Sequence, residues 1–348
     1  MKKLFLTLSL FAGLAFFNAC TTDVELYADY KDIPIIYGLL DASQDTNFIR
    51  INRAFSGSND HPINAADVAL IADSSNYPDK LRAYIVEYSQ GYGGHYQPTG
   101  YTLELDTITI HDKEEGVFYS PNQTVYWTNQ PLHVSTNVAK YKYKLFVHKG
   151  NDTITAETNL VGGEDFKIIT SMLGFMADEN DFTSKVKFTL ADNAAFYDVK
   201  MVFYYRESIN GGPLTDKQVV YSFGVKSVDD LFQESERVYY VNYGMNTLFN
   251  LLEDAIGGDT VINENQPNVY RYFEDKPMKI FVSAGGDELY NYIQINSQTG
   301  YAQTVPDYTN INGGYGVFSS RINLVKEVSI SSVAQSGLYG KPWGFVEQ

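Results

Sequence analysis

Alternation of apolar and polar residues with a period of two constrains this chain more than any other feature. Tyr141, Tyr143, Leu145 and Val147 fall on one face, and Lys140, Lys142 and Lys144 on the other. Tyr101, Leu103 and Leu105 alternate with Thr102 and Glu104, and Val186, Phe188 and Leu190 with Lys187 and Thr189. Met278, Ile280, Val282 and Ala284 repeat the pattern further on. Successive side chains of a strand point to opposite faces, so such runs bury their apolar set only as pleated sheet. The stretch from Val199 to Tyr205 is nearly all apolar, as a strand covered on both faces would be. Turn signals separate the runs: Asn210-Gly211-Gly212-Pro213, Gly257-Gly258-Asp259, Gly285-Gly286-Asp287 and Asn312-Gly313-Gly314. The 28 Tyr and 21 Phe suit half-buried pleated surfaces. They are read first as sheet residues, with a sugar-binding surface as the alternative.

One stretch reads as helix. Leu248, Leu251, Leu252, Ala255 and Ile256 form an amphipathic stripe, with Asn246 as N-cap and Gly257 as the closing residue. Asp229 to Phe232 adds a possible helical turn. The expected fold is therefore mainly β, with two β-sandwich-like domains and one or two short helices inserted in the second. The N-terminal domain is placed at residues 31–162 and the β-rich C-terminal domain at 163–348, with its helix near 246–256. Leu160 to Asp165 reads as the linker between them. Tyr143, Leu145 and Val147, in a penultimate Tyr-x-Leu-x-Val strand, match the tyrosine corner of immunoglobulin-like and fibronectin-like sandwiches.

The start of the chain speaks about location. Met1-Lys2-Lys3 precedes an apolar run from Leu4 to Phe17, then Asn18-Ala19-Cys20. This is the layout of a signal peptide over residues 1–19, too short to span a bilayer stably. Cys20 is the only cysteine, and its position marks it for lipidation, with residues 20–30 as the tether. Once it carries lipid, no thiol remains for a disulfide, a metal or a nucleophile. Without Lys2 and Lys3 the chain has 24 basic and 42 acidic residues, a net charge of −18. That balance argues against nucleic acid and against adsorption to anionic lipid, so attachment rests on acyl chains. Each buried methylene contributes about 0.8 kcal/mol.

A search for catalytic patterns finds no nucleophile elbow, zincin, P-loop, dinucleotide or EF-hand spacing. His61, His95, His111, His133 and His148 are scattered, with His133 and His148 read as sheet residues and His61 and His95 as loop residues. Glu114-Glu115, Glu253-Asp254 and Asp287-Glu288 could pair as glycosidase carboxylates, but acidic residues are too abundant for such pairs to inform. Asp178 to Asp181 and Asp259 to Glu264 carry calcium-type oxygens without a defining spacing. Gly91 to His95 reads as a loop. No metal or cofactor is expected.

Two segments are unusual without being catalytic. One is Ile33-Pro34-Ile35-Ile36-Tyr37-Gly38-Leu39-Leu40-Asp41, followed by Ile49-Arg50-Ile51-Asn52-Arg53-Ala54-Phe55. The other runs from Pro306 through Thr309-Asn310-Ile311-Asn312-Gly313-Gly314-Tyr315-Gly316-Val317-Phe318 to Arg321. With the lipidated start, they resemble a family of Bacteroidota outer-membrane lipoproteins built on a domain of unknown function. The resemblance spans the mature chain and carries over no catalytic residue. It implies a non-enzymatic, lipid-anchored outer-membrane protein, surface-exposed or periplasmic, accessory to a TonB-dependent receptor in ligand binding or uptake. Asp23 and Glu25 fit that phylum's surface-export signal, and Asp106-Thr107-Ile108, Asp152-Thr153-Ile154 and Asp259-Thr260-Val261 its O-glycosylation pattern. The late segment itself reads as a tight turn locking the last strands, with Phe318 in the core and Arg321 paired to a carboxylate. Tyr308 and Tyr315 are the candidate contacts for a glycan or peptide ligand. Two rivals stand: a fimbrial or adhesin subunit trimmed after Arg50 or Arg53, and a surface hydrolase of glycan or peptide.

Overall fold

The computed structural model describes residues 32–54, 71, 75–111, 114–115, 119, 122–133, 138–177, 182–256, 268–297 and 308–347. Cys20, the tether, His61, Gly257 and both calcium-type stretches lie outside them. The first strands are β1 (Pro34–Asp41), β2 (Asn47–Arg53), β3 (Arg82–Gln90), β4 (Tyr96–Glu104), β5 (Asp106–Ile110), β6 (Gln123–Thr128), β7 (Tyr141–Lys149) and β8 (Asp152–Asn159). After them come β9 (Met172–Leu173), β10 (Thr183–Thr189), β11 (Phe196–Ile209), β12 (Thr215–Ser227), β13 (Phe232–Ser235) and β14 (Val238–Gly244). Helix α1 (Thr247–Ile256), β15 (Val269–Tyr272), β16 (Met278–Gly285), α2 (Asp287–Ser297), β17 (Tyr315–Ile330) and α3 (Ser332–Gly340) complete the order.

The protein is mainly β and sandwich-like, as its alternation predicts. A long sheet runs β12-β11-β16-β17-β1-β2-β6-β5, with β15 added beside β11 and β9 beside β17. Its inner face carries Ile36, Leu40, Ile49 and Phe318 at one end and Met201, Phe203, Ile280 and Val282 at the other. The sheet β4-β3-β7-β8 supplies the first core with Ile85, Leu103, Tyr143 and Leu145. The sheet β10-β14-β13, with α1 and α3, supplies the second with Val186, Phe188, Leu252 and Leu338.

Leu160 belongs to the first core and Val161 to the second, but the first core also takes Ile311 and Phe318 from the end of the chain, so the cores do not divide at a single point of the sequence. The long sheet does not part between them. The segment Leu160 to Asp165, expected as a linker, is instead built in. Leu160 and Val161 are fully buried, and Gly162 pairs with Asp192. Val161 also donates its N–H to Ser320 Oγ at 2.8 Å.

Several local expectations are met. Tyr143 is fully buried, and its hydroxyl accepts the His133 N–H at 2.8 Å while donating to Glu87 Oε2 at 2.7 Å. That backbone bond ten residues upstream is the geometry of a tyrosine corner. Burial drives the Tyr143 pKa up. Asn210 and Gly211 both take positive φ, turning β11 into β12 as a tight hairpin. Helix α1 buries Leu248 and Leu252 of the expected stripe together with Phe249, and exposes Glu253 and Asp254, whereas Ala255, expected on the stripe, is exposed as well. Residues 229–230 form the end of a 3-10 turn, whereas Phe232 opens β13. Two helices were not expected: α2, which starts at a supposed turn, and α3.

β16 pairs with β17 only from Arg321 onward, so the first part of β17 lacks a ladder partner on that side. Side chains fill the gap. Asn310 Nδ2 donates to the Phe318 carbonyl at 2.7 Å, and Asn310 Oδ1 accepts the Phe318 N–H at 2.9 Å. An amide thus replaces a strand residue. Ser320 Oγ donates to the Asn159 carbonyl at 2.6 Å, and the Gly286 N–H reaches the Ser320 carbonyl at 3.0 Å. Glu288, in the first turn of α2, accepts from Thr158 Oγ1 and Ser319 Oγ, both at 2.9 Å. Gly316 has φ +113°, and a Cβ there would stand 2.0 Å from the Ile36 carbonyl oxygen, so only glycine fits. The late segment is the tight lock its sequence suggests, with Phe318 fully buried and Arg321 Nε 3.7 Å from Asp41 Oδ2.

Burial pushes the Glu288 carboxyl above its ordinary 4.5, with the two hydroxyl bonds opposing in part. The folded state therefore holds this proton more tightly than the unfolded chain. Its contribution is complete below about pH 4.5 and is lost as pH rises through the raised folded value. Glu288→Gln keeps an acceptor for both hydroxyls, so it should flatten that fall and be more stable than wild type at neutral pH in urea titrations. Phe318→Ala should lower stability by about 3–5 kcal/mol. Val325→Ala, on the opposite face of the same strand, should stay within about 0.5 kcal/mol by the same measurement.

Candidate functional site

The outer face of the long sheet carries the site. Ile35, Tyr37, Leu39 and Asp41 of β1 stand in register with Tyr315, Val317, Ser319 and Arg321 of β17, so these side chains share one face. On the other side, Tyr37 faces Arg50 and Ile35 faces Asn52 of β2, and Phe48 faces Trp127 of β6. The sequence N-F-I-R-I-N-R explains the split: Ile49 and Ile51 enter the core, whereas Phe48 and Arg50 are sent outward. Three aromatic rings are left in solvent here, Tyr37 at 38%, Tyr315 at 47% and Phe48 at 51% exposure. Exposed rings on a sheet face offer flat apolar surface for stacking.

Tyr37 divides two hollows. One, of about 480 Å³, is lined by Tyr37, Arg50, Arg53, Asn76, Asn122 and Gln123 among others. The second, of about 420 Å³, lies between Tyr37, Phe48, Arg321 and the Leu289 and Tyr292 side chains of α2. Tyr292 meets Tyr37 edge to face, with ring centroids 6.1 Å apart, and donates to its hydroxyl at 3.4 Å. That contact and partial burial push the Tyr292 pKa up to about 12. Both volumes lie in the range of small-molecule sites.

Asp41 holds the rim of the second hollow. Its Oδ1 accepts from Ser43 N at 3.0 Å, and its Oδ2 accepts from Asn323 Nδ2 at 2.7 Å. Its own N–H binds Asn47 Oδ1 at 2.7 Å. The carboxylate is almost fully enclosed, so of this pair Arg321 is the charged group open to the hollow. A larger hollow of about 610 Å³ opens where β11 exchanges partners from β16 to β15. Two of its charges pair across the wall, Lys279 with Glu327 at 2.9 Å.

The structure separates the two tyrosines singled out by sequence. Tyr315 joins the outer face. Tyr308 is half-buried, bonded to the Asn291 side chain of α2, and its pKa is raised by burial and by the nearby Glu288 and Asp287 carboxylates. Tyr37, Phe48, Arg50 and Tyr292 were missed. The alternation of Phe48, Arg50 and Asn52 against Ile49 and Ile51 is the signal that could have shown three of the outward positions. His148 lies on β7 beside Tyr84 and Thr153, whereas His133, expected as a sheet residue, lies in the irregular stretch after β6, where it stacks on Tyr141 at 3.7 Å. His95 is exposed in the β3–β4 turn, and His111 Nδ1 lies 2.8 Å from Asn122 Oδ1.

Among the described residues no group of three His, Cys, Asp or Glu stands close enough to hold a metal ion. No described helix is long and apolar enough to cross a membrane. No protein-family model matches the chain, and no curated protein matches it.

Proposed function

We propose that this chain is a non-enzymatic lipoprotein of the outer membrane that captures a glycan on the outer sheet face, as accessory to a TonB-dependent receptor. The observation that carries the reading is the Tyr37-centred pair of hollows, where exposed rings alternate with arginine and amide groups. Aromatic faces stack on sugar rings, and fork-like donors bind their oxygens. Tyr37 belongs to β1, the first strand after the tether. The chain from Cys20 to Pro34 spans at most roughly 50 Å when fully extended, so a lipid on Cys20 keeps the site near the membrane. The Bacteroidota resemblance supports the same setting.

The adhesin alternative is less favoured by the sheet order. β1 is interior, paired with β2 on one side and β17 on the other. Trimming after Arg50 or Arg53 would withdraw it and open the sheet.

Cys20→Ser should move the protein from the membrane to the soluble fraction with an unchanged circular dichroism spectrum. A variant that stays in the membrane overturns the anchor. Wild-type protein drawn from native membranes should bring a TonB-dependent receptor with it. Recovery without one, together with normal uptake in a deletion strain, overturns the accessory role.

A further inference from the structure

The hollow between Tyr37 and Arg53 has a chemical bias that the second lacks. Among the described residues, every polar side chain lining it is an arginine, an amide or a hydroxyl, and none is a carboxylate. In a chain of net charge −16, such a wall is not what composition would supply by default. Arg50 is held for use. Its Nε donates to Asn52 Oδ1, and Asn52 Nδ2 is itself fixed by the Ser75 carbonyl at 2.8 Å and Asn76 Oδ1 at 2.9 Å. The terminal guanidinium nitrogens of Arg50 take no partner among the described residues. Arg53 lies 5.7 Å over the Tyr77 ring, which positions a second cation at the same wall. Arg50 is exposed, so these nitrogens are open to a ligand, and a guanidinium pre-oriented beside amides suits an anionic, oxygen-rich partner through charge-assisted, fork-like bonds.

We propose that this hollow receives the acidic group of a saccharide, a carboxylate or sulfate on a sugar ring, with Arg50 as its bidentate partner and Tyr37 against the ring. The proposal rests on the glycan reading above and narrows it to acidic sugars. Amides and tyrosines suit the hydroxyls of the ring, which an acidic peptide would not supply.

The test is calorimetric titration of the full-length protein in detergent with soluble oligosaccharides from polygalacturonate, alginate and chondroitin sulfate. Methyl-esterified polygalacturonate fragments and dextran fragments serve as neutral counterparts, and an oligoglutamate peptide as the non-sugar anion. At least one acidic saccharide should bind about tenfold or more tightly than the neutral ones, with affinity falling as salt rises. Preference for the carboxylate or the sulfate series identifies the group. Arg50→Ala should erase the acidic preference, and Tyr37→Ala should weaken acidic and neutral sugars alike. Equal binding of acidic and neutral sugars, lost in Tyr37→Ala but kept in Arg50→Ala, overturns this inference and leaves the glycan reading standing. Binding of oligoglutamate alone, or of none of these, overturns both.

Discussion

Parallel pairing of β1 with β17 is the contact on which the rest depends. It sets Ile35 beside Tyr315 and Asp41 beside Arg321, joining the two ends of the described chain in the middle of one sheet. A parallel pair cannot be closed by a hairpin; it needs a crossover. Here that crossover is the whole chain between them, with both partner sheets inside it. Such non-local pairing forms late and slowly, because its loop entropy is met before its contacts repay it. Neither half can complete the long sheet alone.

The join is made polar where a ladder would normally continue. β16 ends at Gly285, and the edge of β17 beyond it is satisfied by Asn310, Ser320 and Glu288. Hydrogen bonds contribute little net stability each, about 1 kcal/mol, but leaving such groups unmade in the interior costs more. Their directionality therefore fixes register more than it adds strength. Phe318 adds the strength, fully buried in the first core although it belongs to the last strand. The same seam anchors α2, and α2 brings Tyr292 against Tyr37. The proposed binding face is thus a product of the join: Tyr37, Phe48 and Arg50 come from one end of the chain, and Arg321, Tyr315 and Tyr292 from the other.

Local patterns were legible because they depend on neighbours in sequence. The β7 alternation, the apolar run of β11, the Asn210-Gly211 turn and the α1 stripe each carry their own signal. α2 did not. Its sequence DELYNYIQINS follows two glycines and has no clear apolar stripe; contacts with Ser319 and Tyr37 hold it as helix. Pairing between distant strands leaves no periodic mark, so the shared sheet was invisible and Leu160 to Asp165 looked like a linker. Tyr315 was singled out because its segment stood out, whereas Arg50 needed knowledge of which face of β2 the core would claim.

The central claim, that one sheet makes two cores a single cooperative unit, can be read with the two tryptophans. Trp127 lies on β6 in the first half, and Trp343 in the second core. Urea unfolding followed by fluorescence of Trp343→Phe and Trp127→Phe reports each half separately. Coincident midpoints and slopes are expected once each variant is referred to its own circular dichroism transition. Two resolved transitions, with one tryptophan released while the other stays native, would contradict the account.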